Sequence, residues 1–267
     1  MKPRNVITST ANPQVKNLNL LQKKAKARDE QKVFIIEGSK MFEEARDGKI
    51  LQKTYVSESF YQEKSQENPD YFEDIDFEII ADSIFKEVSE TQTPQGIMSI
   101  VKQPNYQLED LVEQEDACLL ILEDIRDPGN LGTMIRTAEG AGVSGVIFNS
   151  STVDLFNPKV IRATMGSIYR VPFYQANDFY ETLRKLKDCG ITLFAAHLQG
   201  APYDSKGSFC EKCAFLIGNE ANGLSDKASA LADRLVKIPM QGKVESLNAA
   251  VAAAILMYEA SSQRRGR

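Results

Sequence analysis

Three polar segments, each placed directly after an apolar stretch, carry the residues best suited to chemistry. The first runs from Asp127-Pro-Gly-Asn130 into a helical pattern that contains Arg136. We expect Asn130 to cap this helix and Arg136 to lie about one and a half turns further along. The N–H groups at a helix N-terminus, together with a guanidinium, bind anions such as a backbone phosphate. A capped helix with an exposed arginine and no function accounts for the same pattern.

The second segment follows the apolar residues Phe215-Leu-Ile217 and reads Gly218-Asn-Glu-Ala-Asn-Gly223. Glycine tolerates backbone conformations that other residues avoid. Two glycines around a polar cluster therefore predict a sharp bend that leaves room for a ligand. By itself this signal is weak.

The third segment comprises residues 236–248 and leads into an alanine-rich run over 249–254. Ser246 is predicted to cap the final helix, with Asn248 in its first turn. Small alanine side chains permit very close packing of other backbone against this helix. An ordinary amphipathic helix does not need so many alanines.

These segments need a scaffold that presents the ends of its strands, and the C-terminal half predicts one. Residues 118–122 form a continuous apolar run, which is typical of a parallel strand covered on both faces. Parallel α/β domains bind ligands outside the carboxyl ends of their strands. The other predicted elements of this half are strands over 145–148, 192–196 and 214–217 and helices over 131–141, 158–165, 180–188 and 247–260.

The N-terminal half predicts a second, smaller α/β domain. Apolar residues at spacings of three and four from Val15 to Ala25 predict a helix that begins near Asn12-Pro13 and runs through a lysine cluster. Residues 104–116 are polar, contain a proline and predict a linker. The expected domains are therefore 1–103 and 117–267, joined by 104–116. The other predicted elements of the first domain are strands over 33–36, 51–56, 79–80 and 97–101 and a helix over 40–47.

Charge is distributed unevenly along the chain. The net charge of −5 argues against a protein that coats nucleic acid through bulk electrostatics. Residues 1–40 nevertheless contain nine basic and three acidic side chains, whereas residues 58–90 are dominated by acids. This segregation favours a basic face that meets phosphates, with the acidic stretch facing solvent. An ordinary solvated, lysine-rich helix is the alternative.

Composition excludes several classes of protein. The apolar stretch over 249–257 is too short to cross a bilayer and residues 1–5 begin no signal peptide, so a cytoplasmic location is expected. Four cysteines do not make a disulfide framework in a chain of 267 residues. Cys210 and Cys213 have the spacing of half a zinc site, but such a site needs four ligands and His197 is the only histidine. We therefore expect an exposed turn there and no metal.

Taken together, the three segments resemble the SpoU (TrmH) class of RNA 2'-O-ribose methyltransferases, which belongs to the SPOUT superfamily. The resemblance covers roughly residues 119–259 and includes all three family motifs in order. It implies an α/β catalytic domain whose parallel sheet contains a deep trefoil knot, with S-adenosylmethionine as cofactor and structured RNA as substrate. The N-terminal half, with Asn12-Pro13, Ile36-Glu-Gly38 and Thr93-Pro-Gln-Gly96, is similar to the RNA substrate-binding domain of many members.

The resemblance also implies roles for individual residues. The methyl donor is expected to be held, mainly through backbone groups, by Gly218, Asn219, Ile238, Met240 and Leu247. The implied catalytic residues are Asn130 and Arg136 from the first motif, Glu220 from the second, and Ser246 and Asn248 from the third. Many members have glycine after the glutamate, where this chain has Ala221. If that position requires a positive φ, the loop is strained.

Methyl transfer to a ribose hydroxyl needs alignment of the two groups and removal of the hydroxyl proton. A free arginine has a pKa above about 12 and is a poor base, and the motifs contain no histidine. Our hypothesis is that Arg136 orients the target phosphate and ribose and stabilises developing charge, while that phosphate or a water assists proton loss. Glu220, Ser246 and Asn248 would position these groups, although a purely structural Glu220 is an alternative. His197 follows a predicted strand and either contacts the cofactor edge or is structural.

Other classes of protein fit less well. A Rossmann enzyme requires Gly-x-Gly-x-x-Gly after its first strand and a P-loop requires Gly-Lys-Ser/Thr, and neither follows strand 118–122. By resemblance, 23S ribosomal RNA is the favoured substrate and tRNA the alternative. A non-catalytic RNA-binding ribosome-assembly factor is a further hypothesis, which the intact set of motif residues argues against. Family members pair through their knotted regions, so we expect a homodimer.

Overall fold

The structure is a computed structural model that describes residues 5–203 and 208–265. The chain divides into two compact units, Met1–Pro104 with Phe156–Arg162 and Asn105–Leu155 with Ala163–Arg267. Each unit has its own sheet and its own hydrophobic core. Phe156–Arg162 is grouped with the first unit, where the Phe156 ring packs against Phe34 with centroids 5.0 Å apart.

The first unit contains a five-stranded mixed sheet. Its strands are β1 (Val6–Ile7), β2 (Val33–Glu37), β3 (Leu51–Ser57), β4 (Phe77–Ile80) and β5 (Ile97–Lys102). Its helices are α1 (Pro13–Lys23), α2 (Ala25–Gln31), α3 (Ser39–Asp47), α4 (Glu58–Glu67) and α5 (Asp82–Val88). The strand order is β1-β4-β3-β5-β2, with β1, β4 and β3 parallel and β5 antiparallel to β3 and β2. All four predicted strands are confirmed, whereas β1, α4 and α5 were not predicted.

The lysine-rich helix differs from its prediction. It breaks at Lys24, whose backbone is extended at φ −123°, and continues as α2 with Ala27 rather than Ala25 buried. Arg28 is also buried and donates hydrogen bonds to the carbonyls of Leu21 and Gln22. Arg28 therefore closes the break between two helices and adds nothing to a basic face. The exposed basic side chains of this region are Lys16, Lys23, Lys24, Lys26 and Lys32.

The second unit contains a six-stranded sheet in which every pairing is parallel. Its strands are β6 (Cys118–Leu122), β7 (Gly145–Asn149), β8 (Phe173–Ala176), β9 (Thr192–Pro202), β10 (Cys213–Ile217) and β11 (Arg234–Lys237), in the order β11-β9-β10-β6-β7-β8. Its helices are α6 (Leu108–Val112), α7 (Pro128–Ala141), α9 (Phe179–Asp188), α10 (Asp226–Leu231) and α11 (Ala249–Arg265), while α8 (Pro158–Thr164) begins in the segment grouped with the first unit. Strands β6 and β10 are buried along their whole length, which explains their continuous apolar sequence.

Helix α7 starts three residues earlier than predicted, at Pro128. Asp127, and not Asn130, is its N-cap, because Oδ1 of Asp127 accepts the N–H of Asn130 at 2.7 Å. Proline at the first helical position has its φ already set and has no N–H to satisfy. The Asn130 side chain is therefore released from capping and is available for other contacts.

Helix α11 shows the same kind of correction. Asn248, and not Ser246, caps it, because Oδ1 of Asn248 accepts the N–H of Ala250 at 2.8 Å. At the far end of the helix, Arg264 donates to the carbonyls of Phe209 at 2.9 Å and Glu211 at 2.7 Å. It also donates to the carbonyls of Asp116 and Ala117, which directly precede β6. Helix α11 is therefore anchored at the amino ends of the strands.

The predicted linker contributes to the core. Within 104–116, helix α6 places Leu111 in the core of the second unit with no exposed surface. A Cβ atom added at Gly145 would lie 2.5 Å from Leu111 Cγ, so the leucine packs directly against the backbone of β7. This segment was predicted as a linker because it is polar overall, and the prediction missed its single deeply buried leucine.

Two other expectations concern cysteines and membranes. Cys210 and Cys213 are buried, and Sγ of Cys213 lies 3.9 Å from Sγ of Cys118 on the neighbouring strand, so the predicted exposed turn is wrong. Among residues 5–203 and 208–265, no three or more His, Cys, Asp or Glu side chains group as metal ligands. In the same described ranges no helix is long and apolar enough to cross a membrane.

Candidate active site

Polar side chains from three distant segments meet at the carboxyl edge of the parallel sheet. Asn130, in the first turn of α7, donates from Nδ2 to Oε1 of Glu220 at 3.0 Å. Asn248, at the start of α11, donates from Nδ2 to Oδ1 of Asn130 at 3.1 Å. Glu220 lies in the loop that follows β10. We call Asn130, Glu220 and Asn248 the polar cluster, and all three were predicted from sequence as site residues.

The Glu220 carboxylate joins two loops. Besides Asn130, it accepts the backbone N–H of Asp127 at 3.3 Å and of Arg126 at 3.4 Å. Burial raises the pKa of the Glu220 carboxyl, but the hydrogen bonds from Asn130 and from the backbone N–H groups of Glu220, Asp127 and Arg126 outweigh it and leave the pKa below its ordinary value. Glu220 is therefore an anion at neutral pH and acts as a hydrogen-bond acceptor, not as an acid.

We expect Glu220→Gln to reduce the free energy of unfolding by about 1 kcal/mol or less at neutral pH, because the carboxylate is exposed and its backbone bonds are long. Folding lowers this pKa, so the stabilisation is complete above the ordinary carboxyl pKa and is lost as the pH falls through the lower, folded value. Urea unfolding should therefore show a constant difference between wild type and variant from about pH 8 to pH 6, which shrinks below about pH 4. Glu245→Gln, at an exposed loop position, is the matched control. A difference that grows on acidification would contradict the assignment.

A cavity of about 390 Å³ opens beside the polar cluster. Its walls are residues 196–199 of β9, the loops after β10 and β11 and the first turn of α11. We call it the loop cavity. It is of the size of ordinary small-molecule sites, which span about 300–1,000 Å³. All five residues predicted to hold the cofactor line it, namely Gly218, Asn219, Ile238, Met240 and Leu247, and so do the predicted catalytic residues Glu220 and Ser246.

The loop after β10 is built around glycine. A Cβ atom added at Gly218 would lie 2.1 Å from backbone atoms of Gly223 and Leu224, so the chain folds back on itself at a distance that only glycine permits. The pair Asn219 and Gly223 closes the turn with backbone hydrogen bonds of 3.0 and 2.8 Å. The positive φ of this loop, 70°, falls at Gly223 and not at Ala221. The departure from the family pattern at Ala221 therefore brings no strain.

The lining of the loop cavity suits S-adenosylmethionine. Ile217, Leu224 and Val236 give it an apolar side for an adenine ring, and the loops present backbone groups between them. The N–H of Gln199 donates to Nδ1 of His197 at 3.1 Å, so His197 lines the cavity but already accepts a hydrogen bond within β9. Leu198 and Gln199 were not predicted as lining residues. Both lie in the part of β9 beyond residues 192–196, which were predicted as the strand.

Arg136 does not join the polar cluster. It follows Asn130 by six residues, so on α7 its side chain points about 120° away around the helix axis and starts about 9 Å further along. Arg136 is exposed, lines neither of the cavities described here, and within the described ranges makes no hydrogen bond or ion pair. Ser246 lines the loop cavity without bonding to the cluster. The structure thus brings together seven of the predicted residues around one cavity and places Arg136 on another face.

Fold and site together define a class of protein. A parallel sheet of this topology, with a ligand cavity between its C-terminal loops, is that of the SPOUT methyltransferases. The crystal structure of an AdoMet-bound rRNA methyltransferase from Sinorhizobium meliloti superposes with a TM-score of 0.83 at 31% identity, covering 98% of both chains. The SpoU methyltransferase AviRb from Streptomyces viridochromogenes, in complex with the cofactor AdoMet, gives 0.85 at 26% identity over 95% of this chain and 98% of its own.

The family follows from the sequence comparisons. The model of the SpoU rRNA Methylase family matches residues 117–258, and that of the MRM3-like substrate binding domain matches residues 12–99. A curated relative, 23S rRNA (guanosine(2553)-2'-O)-methyltransferase RlmP of Bacillus subtilis, is 34% identical over 94% of this chain and 97% of its own length. The chain belongs to the SpoU rRNA methylase family. Its cofactor is S-adenosylmethionine, and the predicted family, enzyme class and cofactor are confirmed.

Proposed function

We propose that this chain transfers the methyl group of S-adenosylmethionine to a ribose 2'-hydroxyl of 23S ribosomal RNA. The observation that carries the proposal is the polar cluster at the rim of the loop cavity, where three motif residues far apart in sequence are hydrogen-bonded to one another. The activity of the Bacillus subtilis relative, methylation of a guanosine ribose in 23S rRNA, supports the choice of substrate.

When bound, S-adenosylmethionine supplies an electrophilic methyl group on a sulfonium. The chain's own residues then have to hold the acceptor ribose at the rim of the loop cavity. Asn130, Asn248 and Ser246 supply amide and hydroxyl groups for the ribose, and the Glu220 carboxylate fixes the Asn130 amide. No histidine lies in the polar cluster, so the hydroxyl proton passes to a water or to the substrate's own phosphate.

We propose that Arg136 binds the RNA backbone from its exposed face. The planar guanidinium suits a phosphate, and Arg136 has no partner within the described ranges that would compete for it. This role follows from position on α7 and not from contact with the polar cluster. The motif residues therefore divide into a ribose-orienting set and a phosphate-binding arginine.

The domain roles follow the same division. We propose that residues 1–103 bind the RNA substrate, that 104–116 connect the domains, and that 117–267 form the catalytic domain. The exposed lysines of α1 and α2 support an RNA-binding role for the first unit, because lysine side chains contact phosphates without sequence preference. A cytoplasmic location accords with an RNA-modifying function. The trefoil knot implied by the family resemblance stays a prediction.

We also propose a homodimer formed through α11. Val251, Ile255 and Tyr258 follow one another at spacings of four and three and lie on one face of this helix. Val251 and Tyr258 are each 47% exposed. The Tyr258 hydroxyl lies 3.0 Å from a Cβ position built at Gly140 of α7, one turn beyond Arg136. An apolar stripe of this kind is suited to a symmetric interface, which would include the face that carries Arg136.

The double variant Val251→Arg/Tyr258→Arg is expected to be monomeric. Two added charges on the stripe would have to be buried without partners in the interface. Light scattering coupled to gel filtration should give twice 29.7 kDa for wild type and 29.7 kDa for the variant. Asp188→Arg, at an exposed position of α9 and outside the stripe, is the control and should keep the dimer. A variant that keeps the mass of wild type would exclude this surface as the interface.

The proposed function is tested in two steps. Calorimetry with S-adenosylmethionine measures donor binding, and tritium transfer to RNA from a strain that lacks this protein measures turnover. Label in 23S rRNA at a nucleotide whose 3'-phosphodiester bond resists alkaline hydrolysis supports the proposal, because a 2'-O-methyl group removes the hydroxyl that attacks this bond. Label in tRNA alone would show that tRNA is the substrate. Binding of the donor or of RNA without methyl transfer would show that the chain is a non-catalytic RNA-binding factor.

A further inference from the structure

A second cavity, of about 590 Å³, lies at the carboxyl ends of β6, β7 and β8. Its lining comes from the residues that directly follow these strands and from the loop after β10. We call it the strand-end cavity. Apart from Asn219, none of its polar residues is used by the residue roles proposed above, and its volume exceeds that of the loop cavity.

The strand-end cavity and the loop cavity share a wall. Asn219 and Asn222–Leu224 line both of them. Arg126 lines the strand-end cavity, and its N–H is 3.4 Å from Oε2 of Glu220 in the polar cluster. A group held by the polar cluster therefore stands at the border of the two cavities. A nucleotide whose ribose occupies that border has its methyl donor on one side and space for its base on the other.

The charge of the strand-end cavity selects the chemistry of its occupant. Glu123, Asp124 and Asp178 line it against a single basic side chain, Arg126. Three carboxylates repel a phosphate but accept hydrogen bonds from N–H groups. Half of the remaining polar lining residues carry side-chain amides, which bind the edge of a base in the same way, namely Asn149, Asn177, Asn219 and Asn222. The lining thus disfavours an anionic group and favours one that is rich in N–H donors, such as a base.

The cavity walls are built before any ligand arrives. Glu123 is 5% exposed and accepts the N–H and the hydroxyl of Ser225, both at 2.8 Å, and the hydroxyl of Tyr180 at 3.3 Å. The backbone N–H of Asp124 donates to Oδ1 of Asn149 at 3.0 Å, and Nδ2 of Asn149 donates to Oδ1 of Asp124 at 2.6 Å. These contacts fix the backbone and leave the Asp124 carboxylate further acceptor positions, since it accepts one bond of about four that an ionised carboxyl can take.

Asp178 is placed similarly. One of its oxygens caps α9 by accepting the N–H of Glu181 at 2.9 Å. The carboxylate is exposed and lines the strand-end cavity. Asp178 follows β8, whereas the wall shared with the loop cavity follows β10, on the other side of β6 and β7 in the sheet. Asp124 and Asp178 are therefore the two acidic side chains able to meet an incoming ligand, while Glu123 is committed to the wall.

We propose that the strand-end cavity binds the base of the nucleotide whose ribose is methylated, and that Asp124 and Asp178 select a base that carries an exocyclic amino group. This inference rests on the proposed function and adds to it a determinant of base identity. Guanine, adenine and cytosine present amino N–H donors, whereas uracil presents only an imino N–H. Uridine is therefore disfavoured as the target.

The test uses full-length 23S rRNA transcripts and the intact chain. The modified nucleotide is first mapped by ribose-methylation sequencing, and transcripts with each of the four bases at that position are then compared. With wild-type enzyme, replacement of the amino-bearing base by uracil should lower kcat/KM at least about tenfold, the effect of one charge-assisted hydrogen bond. The double variant Asp124→Asn/Asp178→Asn should lose most of this preference and keep its affinity for S-adenosylmethionine.

Both asparagine substitutions preserve the local structure. Asparagine tolerates the positive φ of 58° at position 124 and is a good N-cap at position 178. A second variant, Ser151→Phe, fills the strand-end cavity from an exposed lining position and should raise KM for RNA at least about tenfold, since it removes space without touching the donor loops. Asp188→Phe, at an exposed position at the end of α9 that leads to the amino end of β9, is its control. Melting temperatures confirm that all variants fold.

Three results would overturn the inference. They are a mapped uridine, equal rates for all four bases, and an unchanged base preference in the double variant. Failure of the proposed function looks different, because wild type itself then transfers no label to any transcript. If wild type methylates RNA at a rate that does not depend on the base, the proposed base-binding role of the strand-end cavity is wrong, whereas the proposed methyltransferase function still holds.

Discussion

Gly218→Ala is expected to weaken the binding of S-adenosylmethionine at least about a hundredfold, an effect of about 3 kcal/mol. A methyl group at this position would lie 2.1 Å from the backbone of Gly223 and Leu224, and backbone atoms cannot rotate aside as a flexible side chain can. The loop after β10 must open to admit it, and that loop is a wall of the loop cavity. Calorimetry with the methyl donor measures the effect.

Gly242→Ala is the matched control for this prediction. A Cβ atom at Gly242 meets no atom within 4 Å and its φ is not positive, so the added methyl group should change neither stability nor donor affinity. The melting temperature of both variants separates local loss of the cavity from unfolding. Normal donor affinity in Gly218→Ala would mean that the loop cavity is not the donor site.

Arg136→Ala is expected to lower kcat/KM for RNA methylation by about 10²–10³, as removal of one preorganised charge-stabilising donor does in other enzymes. Arg136→Lys should recover only part of this loss, because a lysine ammonium cannot make the planar, paired hydrogen bonds of a guanidinium. Donor affinity should be unchanged in both variants, because Arg136 does not line the loop cavity. Initial rates of tritium transfer and calorimetry give the two quantities.

The control for Arg136 is Arg184→Lys, at an exposed position of α9 in the same unit. It should leave transfer within about twofold of wild type, because a surface ion pair contributes little. Near-normal activity of Arg136→Lys would show that charge alone suffices and would remove planar recognition from the mechanism. Loss of donor binding in either Arg136 variant would place this residue at the cofactor.

The buried centre of the parallel sheet could be predicted from sequence, and its two edges could not. Strands β6 and β10 have continuous apolar sequences because both of their faces and both of their neighbours are protein. Strands β8 and β11 lie at the two edges of the same sheet, are four residues long each, and have mixed sequences. Neither was predicted, because a short edge strand carries little periodic signal.

The candidate site was predicted in outline and corrected in its details. The predicted residues that line the loop cavity were identified by resemblance to the family motifs, and of their two loops only the one after β10 follows a strand that was predicted. The helix caps were assigned to Asn130 and Ser246. In the structure, Asp127 and Asn248 accept the first free N–H groups of the two helices. Arg136 was grouped with Asn130 by motif, and a motif does not report which face of a helix a side chain occupies.

Helix α11 gives the active site a dependence on the far side of the domain. Seventeen residues make a rod of about 25 Å, with Asn248 at one end and Arg264 near the other. Arg264 is hydrogen-bonded to carbonyls that precede β6 and β10. It therefore fixes the position of α11 along its axis, and with it the contact between Asn248 and Asn130. We therefore expect a truncation or fusion that begins at Gln263 to lower catalysis although it removes no residue of the polar cluster. Without Arg264, the far end of α11 is no longer held, and the position of Asn248 is no longer fixed.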